Sequence, residues 1–225
     1  MGGLYAIGLG LKRENQTYAS FKMDTSKSDF RLFYDKSAEN ILDKYNIRCG
    51  QFVTIQRGVG DYNAEYPECL PRLWSVENYT TLVKLLKSAD KTMNLKVIQV
   101  GSEFSVPIEN VDFDLRGKTT FEELKVLLNY ARFHIDGDAG MVHLRHFLSK
   151  KPSVVIFGPT NEKLVGYSEN INISARPESC PVACEWLTPY WREKCIATGT
   201  NEATCQKNVT PYMVLEKILS YKNDA

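Results

Sequence analysis

What this 225-residue chain lacks narrows its role first. It has almost no net charge: 28 basic and 27 acidic residues leave +1. A nucleic-acid groove or a polybasic membrane face needs an excess of cations, so both are excluded as primary functions, and any pull on an anion must be local. No window approaches the roughly 18 consecutive apolar residues of a bilayer-spanning helix. The opening residues Met1–Gly10 lack the basic start and long apolar core of a secretion leader. The sequons at Asn15, Asn78, Asn172 and Asn208 are then read as chance, and the expected location is the cytoplasm. Histidine is scarce, at three residues, and neither internal repeats nor low-complexity tracts occur.

What is present is ordinary for a folded domain, with 43% hydrophobic and 24% charged residues. From Lys36 onward short apolar runs alternate with amphipathic ones. Strands are expected at Phe52–Gln56, Leu95–Val100, Val111–Leu115, Phe133–Asp136 and Ser153–Phe157. Between them Ser75 caps a helix reaching Lys87, with Val76, Tyr79, Leu82, Val83 and Leu86 on one face. Thr120-Phe-Glu-Glu123 is a capping box opening a helix with Leu124, Leu127, Leu128 and Ala131 at helical spacing. Further helices are expected at Met141–Leu148 and at Pro211–Tyr221, where Pro211 sits in the first turn. Strand–helix alternation implies an α/β fold, a Rossmann-like three-layer α/β/α domain with a mainly parallel sheet. Residues 1–37 are read as an N-terminal segment, a β-meander by its alternating aromatics, or the remnant of a preceding domain, and 38–225 as the α/β domain. Residues 174–210 within it form an irregular, cysteine-rich segment.

One stretch carries chemistry. His134-Ile-Asp-Gly-Asp-Ala-Gly-Met-Val-His143 leads from a strand through small residues into a helix. Unpaired amides at a helix start, backed by the helix dipole, form a phosphate cradle, and His143 on the first turn could add a donor. In open parallel sheets ligands sit beyond the carboxyl ends of the strands, where Gly158-Pro-Thr160 should also arrive. The plainer reading is an acidic turn capping a helix, with His143 on the surface. Arg57 has a phosphate-facing reading beside that of a solvated loop charge.

Five segments in order resemble the C-terminal half of the family-9 glycosyltransferases, the bacterial heptosyltransferases. They are Thr54–Gly58, Arg72-Leu-Trp74, Leu115-Arg-Gly-Lys-Thr-Thr-Phe-Glu-Glu-Leu124, Asp138-Ala-Gly-Met-Val-His-Leu144 and Pro152-Ser-Val-Val-Ile-Phe-Gly-Pro-Thr160. The resemblance spans roughly residues 38–220. It implies the C-terminal half of a GT-B enzyme, binding an ADP- or GDP-linked sugar such as ADP-heptose for inverting transfer to a glycan, lipid-linked or protein acceptor. Such an enzyme works in the cytoplasm, at the inner face of the membrane where its acceptor is there. Carried over by position, Asp138, Ala139, Gly140 and His143 would bind the diphosphate and its sugar. Arg72 would supply a cation, and Glu103 would face the ribose or base. Ala139 stands where the family has Thr or Ser, so a hydroxyl contact is lost while the amide remains. No catalytic metal is implied, and the Asp136-Gly-Asp138 spacing is read as structural. The acceptor-binding half that carries the general base finds no room here. The chain is therefore expected to be a fragment, or a nucleotide-sugar-binding or scaffold module without catalysis.

Cys180, Cys184, Cys195 and Cys205 lie within 26 residues. By spacing alone a metal site, disulfides and free thiols all remain open. The cluster is similar to four cysteines that hold iron in heptosyltransferases acting on autotransporter proteins, which implies a closed structural zinc or iron site. Cys49 and Cys69 are expected to be buried apolar residues, and His134 and His146 to be core or surface histidines. Trp74, Trp186 and Trp191 are expected to pack rather than to hold sugar.

Overall fold

The computed structural model describes residues 31–57, 73–89, 95–177, 180, 184, 194–200 and 203–221. A 3₁₀ turn at Lys36–Glu39 runs into α1 (Asn40–Lys44). There follow β1 (Phe52–Ile55), α2 (Val76–Ala89), β2 (Lys96–Gln99), β3 (Phe113–Asp114), α3 (Phe121–Tyr130), β4 (His134–Gly137) and α4 (Gly140–Ser149). The chain continues through β5 (Ser153–Phe157), α5 (Glu162–Val165), β6 (Ile171–Ser174), α6 (Thr204–Lys207) and α7 (Pro211–Ser220). Among the described residues these strands form one sheet in the order β3-β2-β1-β4-β5-β6, and every pairing is parallel. The order reverses between β1 and β4, which is the switch point of a doubly wound sheet.

Alternate strand residues face opposite sides, and each side has its own core. Val53, Ile55, Val97, Ile135, Val154, Ile156, Ile171 and Ile173 meet Tyr79, Leu82, Val83 and Leu86 of α2 and Val214 and Ile218 of α7. On the other side Phe52 and Ile98 meet Ile41, Val126 and Leu127. The apolar stripe expected for α2 is thus the one it buries, and the Ser75 hydroxyl accepts from the Asn78 amide at 3.2 Å as its cap. The capping box of α3 is also present: Thr120 Oγ1 accepts from the Glu123 amide at 3.2 Å, and the Thr120 amide donates to Glu123 Oε2 at 2.7 Å. Trp74 packs as expected, buried at 2% exposure, with its indole N–H donating to the Val209 carbonyl at 2.8 Å.

The structure departs from the sequence reading in several places, beginning with the short helical elements at Lys36–Lys44 and Glu162–Val165 that it did not anticipate. Strand β6 was not anticipated; its Ile171-x-Ile173 alternation is a weak signal because only one face of this edge strand is covered. The cysteine-rich segment is not wholly irregular, since α6 forms within it. Cys49 is exposed, not a buried apolar residue, because it lies in the turn that leads into β1. Cys69, Trp186, Trp191 and the possible β-meander before residue 31 lie outside the described residues. What is described of the N-terminal segment docks on the domain: the Leu32 amide donates to the Phe147 carbonyl at 2.9 Å, and Lys125 Nζ donates to the Phe33 carbonyl at 2.7 Å. Among the described residues no helix is long and apolar enough to cross a membrane.

Candidate functional site

Because all six strands are parallel, the segments following each strand emerge at one edge of the sheet. The Asp138–Gly140 turn leaves β4 at that edge, next to the switch point. Ala139 occupies the N-cap position of α4 in extended conformation (φ −144°, ψ 167°) and places no side chain on the helix start. The first amides of a helix have no partner within it, so this end is open to an acceptor. Gly140 is exposed, and a Cβ built there would meet nothing within 4 Å. The turn therefore lies at the strand tips, with Gly140 open to solvent.

His143, one turn into α4, stands over this opening with its side chain 41% exposed. Its Nε2 is 3.9 Å from Asp138 Oδ1, and its Nδ1 is 2.8 Å from the Tyr167 hydroxyl. The Tyr167 ring in turn lies flat on His146, with centroids 3.6 Å apart and planes 3° from parallel. His146 Nδ1 contacts Glu169. Burial lowers the His143 pKa; Asp138 acts against this and His146 with it. Burial first, then the negative charges of Glu169 and Asp138, push the Tyr167 phenol up to about 12. Both groups are thus neutral near pH 7.

Behind the turn lies a buried polar layer. His134 Nδ1 is 3.0 Å from Thr54 Oγ1, its Nε2 is 3.3 Å from Asp136 Oδ2, and Asp136 Oδ1 accepts from the Gly137 amide at 2.7 Å. Burial, and next the charge of Arg145, hold His134 down at about 3. Asp136 is thereby committed to the interior, at 1% exposure. Arg145 is itself fully buried and donates to the carbonyls of Leu128, Ala131, Arg132 and Pro152.

Glu103 is exposed in the segment after β2, against Gly117. That segment is held by Arg116, which pairs with Asp114 at 2.7 Å and donates to the Ser105 carbonyl. Arg72 and the glycine turn after Arg57 lie outside the described residues. Arg57 is neither solvated nor turned outward: it is 7% exposed, and its Nε donates to the Trp74 carbonyl at 2.9 Å. Its position just after β1 places the side chain under the start of α2.

Gly158, Pro159 and Thr160 reach the expected edge but are buried, since the cysteine segment folds over them. Cys180, Cys184, Cys195 and Cys205 all line one small cavity with Gly158, Pro159 and Arg176. Its volume of about 10 Å³ is room for a single ion or water, far below what a nucleotide needs. None of the four is in a disulfide. Burial, followed by the neighbouring thiols, raises Cys184, and raises Cys205 to about 11. Burial alone would raise Cys195 too, but backbone amides near Thr204, Thr198 and Ala197 and the Thr198 hydroxyl bring it below the ordinary range. Even so, no group of three or more potential ligands among the described residues is spaced to hold a metal ion.

Tyr167 and Arg176 have no counterpart in the sequence reading. Tyr167 meets His143 across 24 positions without regular periodicity, and Arg176 reaches Glu162 at 2.5 Å from beyond β6. Neither contact has a local signal.

A family model described as glycosyltransferase family 9 (heptosyltransferase) matches residues 71–189, just over half of the chain. Solved structures agree in fold. Escherichia coli ADP-heptose LPS heptosyltransferase II superposes with a TM-score of 0.57 at 15% identity, covering 84% of this chain and 52% of that one. A family-9 glycosyl transferase from Veillonella parvula gives 0.57 at 15% identity, with 88% and 55% coverage. The dodecameric iron-containing heptosyltransferase TibC in complex with ADP-D-beta-D-heptose gives 0.57 at 18% identity, with 77% and 45% coverage. TibC comes from enterotoxigenic E. coli. This chain thus spans about half the length of the solved structures it matches. No curated protein sequence matches it. The six-stranded parallel sheet, the ordered motifs and the family match have one reading: the chain belongs to glycosyltransferase family 9, the heptosyltransferase family.

Proposed function

We propose that this chain is the donor-binding half of an inverting glycosyltransferase that uses a nucleoside-diphosphate sugar of the ADP-heptose kind. The observation that carries this reading is the uncapped start of α4 at the carboxyl edge of the sheet, with Gly140 open and His143 over it. The relative TibC was solved in complex with ADP-D-beta-D-heptose, which supports the donor class. In this reading the amides of Gly140 and Met141 bind the diphosphate, and His143 adds a neutral N–H. Asp138 accepts from the sugar hydroxyls, while Arg72 and Glu103 complete the nucleotide side. As the bond to the anomeric carbon breaks, charge builds on the departing phosphate. Donors already aimed at that position stabilise it without reorganisation. The base that activates an acceptor hydroxyl belongs to an acceptor-binding domain, so no residue here is given that role. The acceptor is a cell-surface glycan, a lipid-linked sugar or a protein.

The four cysteines fit a structural ion in chemistry and location: all line one ion-sized cavity, and amide donors already favour a thiolate at Cys195. Among the described residues no three ligands are placed to hold an ion, so binding one would require the thiols to approach one another. Such an ion would brace the segment against Gly158 and Pro159, and the donor chemistry does not run through it.

Isothermal titration with ADP and ADP-heptose tests the donor reading. The parent chain should bind both, and Asp138→Ala and His143→Ala should each weaken binding by about tenfold, as for a lost hydrogen bond to a charged group. Unchanged affinity in both variants would refute it.

A further inference from the structure

The contacts of His143 with Tyr167 go beyond the donor site itself. A neutral imidazole has one N–H and one acceptor nitrogen, and the bond at one nitrogen decides which is which. The Tyr167 phenol keeps its proton, because burial and the nearby carboxylates of Glu169 and Asp138 oppose its loss. Among the described residues the acceptor within reach of that proton is His143 Nδ1, at 2.8 Å. The tyrosine cannot swing away easily. Its ring is stacked on His146, which contacts Glu169, and the Glu169 carbonyl accepts from the Tyr221 hydroxyl at 3.1 Å. With Nδ1 accepting, the imidazole proton must reside on Nε2. That nitrogen faces Asp138 at 3.9 Å, beyond hydrogen-bond range, and so is available to a ligand in the turn.

We propose that Tyr167 is a positioning residue that fixes His143 as its Nε2–H tautomer, aiming a neutral donor at the anion bound by the Asp138–Gly140 turn. This rests on the donor-site reading for its purpose but not for its geometry. Without the hydroxyl, the imidazole is free to place its proton on Nδ1 and turn its lone pair toward the phosphate, where it repels.

The test is Tyr167→Phe, which keeps the ring and its stack on His146. Histidine ¹⁵N spectra of the unliganded 225-residue chain should show His143 as the Nε2–H tautomer in the parent and as a mixture in the variant. ADP affinity should fall by about two- to tenfold in Tyr167→Phe, as expected for one hydrogen bond. In a His143→Ala background the same change should have no further effect, because the hydroxyl acts through that ring. A parent His143 protonated on Nδ1, a tautomer unmoved by the substitution, or an equal loss of affinity in both backgrounds overturns the proposal. Should the parent fail to bind ADP, the donor-site reading falls, and the spectra still decide the role of Tyr167.

Discussion

His134 is fully buried between Thr54 and Asp136, and its pKa of about 3 against an ordinary 6.5 makes it a lever on stability. The folded state holds the ring neutral, and the unfolded chain protonates it near 6.5. Its contribution is therefore complete above that value and is lost as pH falls from 6.5 toward 3. The loss should be on the order of a few kcal/mol, read as a falling urea midpoint across that window. A His134→Asn variant retains an atom facing Thr54 and should be less stable at pH 7 but flatter between pH 6.5 and 3. An equally steep fall in the variant would place the acid sensitivity elsewhere. At this scale the sequence was legible where chemistry is local. Asp138, Gly140 and His143 stand out because small residues precede a helix start. Tyr167 does not, because its value comes from a neighbour 24 positions away. Arg57 was misplaced because nothing in its surroundings shows that the Trp74 carbonyl would take its guanidinium inside.

The helices are held at their ends, and the two ends of α3 differ in how they announce themselves. Its start is a reciprocal side-chain and backbone pair within four residues, visible in the sequence. Thr120→Ala should cost about 1 kcal/mol in chemical denaturation without altering ADP binding. Its finish is satisfied from another helix. Arg145 donates to the carbonyls of Leu128 in its last turn, of the cap residue Ala131 and of Arg132 just beyond. Arg145→Met would strand several buried acceptors at once and should destabilise by at least about 3 kcal/mol. Arg145→Lys, with a single ammonium, should recover only part. If Arg145→Met proves as mild as Thr120→Ala, those carbonyls find other donors. Between β3 and α3, Gly117 is fixed by geometry: φ is +63°, and a Cβ would stand 2.7 Å from that of Glu103.

For the molecule as a whole, four separated thiols of the cysteine segment line one cavity. The structural-ion reading has a direct measurement. Protein purified without added metal should carry about one zinc or iron ion per chain by elemental analysis. Chelation should lower the thermal midpoint, and Cys205→Ser should abolish the content. Protein without bound metal that unfolds at the same temperature would make the four residues simply free thiols, three of them buried. The described part of the segment lies against Gly158 and Pro159 at the carboxyl edge of the sheet, so metal loss should also loosen that edge to proteolysis.

The sequence by itself determined the alternation of strand and helix, the apolar face of α2, the capping box of α3 and the glycine turn into α4. Each is a short-range pattern of side-chain size, polarity and backbone freedom within a few residues. Only the tertiary structure decided that all six strands run parallel with the reversal between β1 and β4, that Ile171–Ser174 closes one edge, and that four separated cysteines face one cavity. It alone set Tyr167 against His143 and buried His134, Asp136 and Arg145 behind the turn. Those arrangements join residues far apart in the chain, and their partners are chosen by which faces the sheet and helices must bury together, which no local pattern encodes.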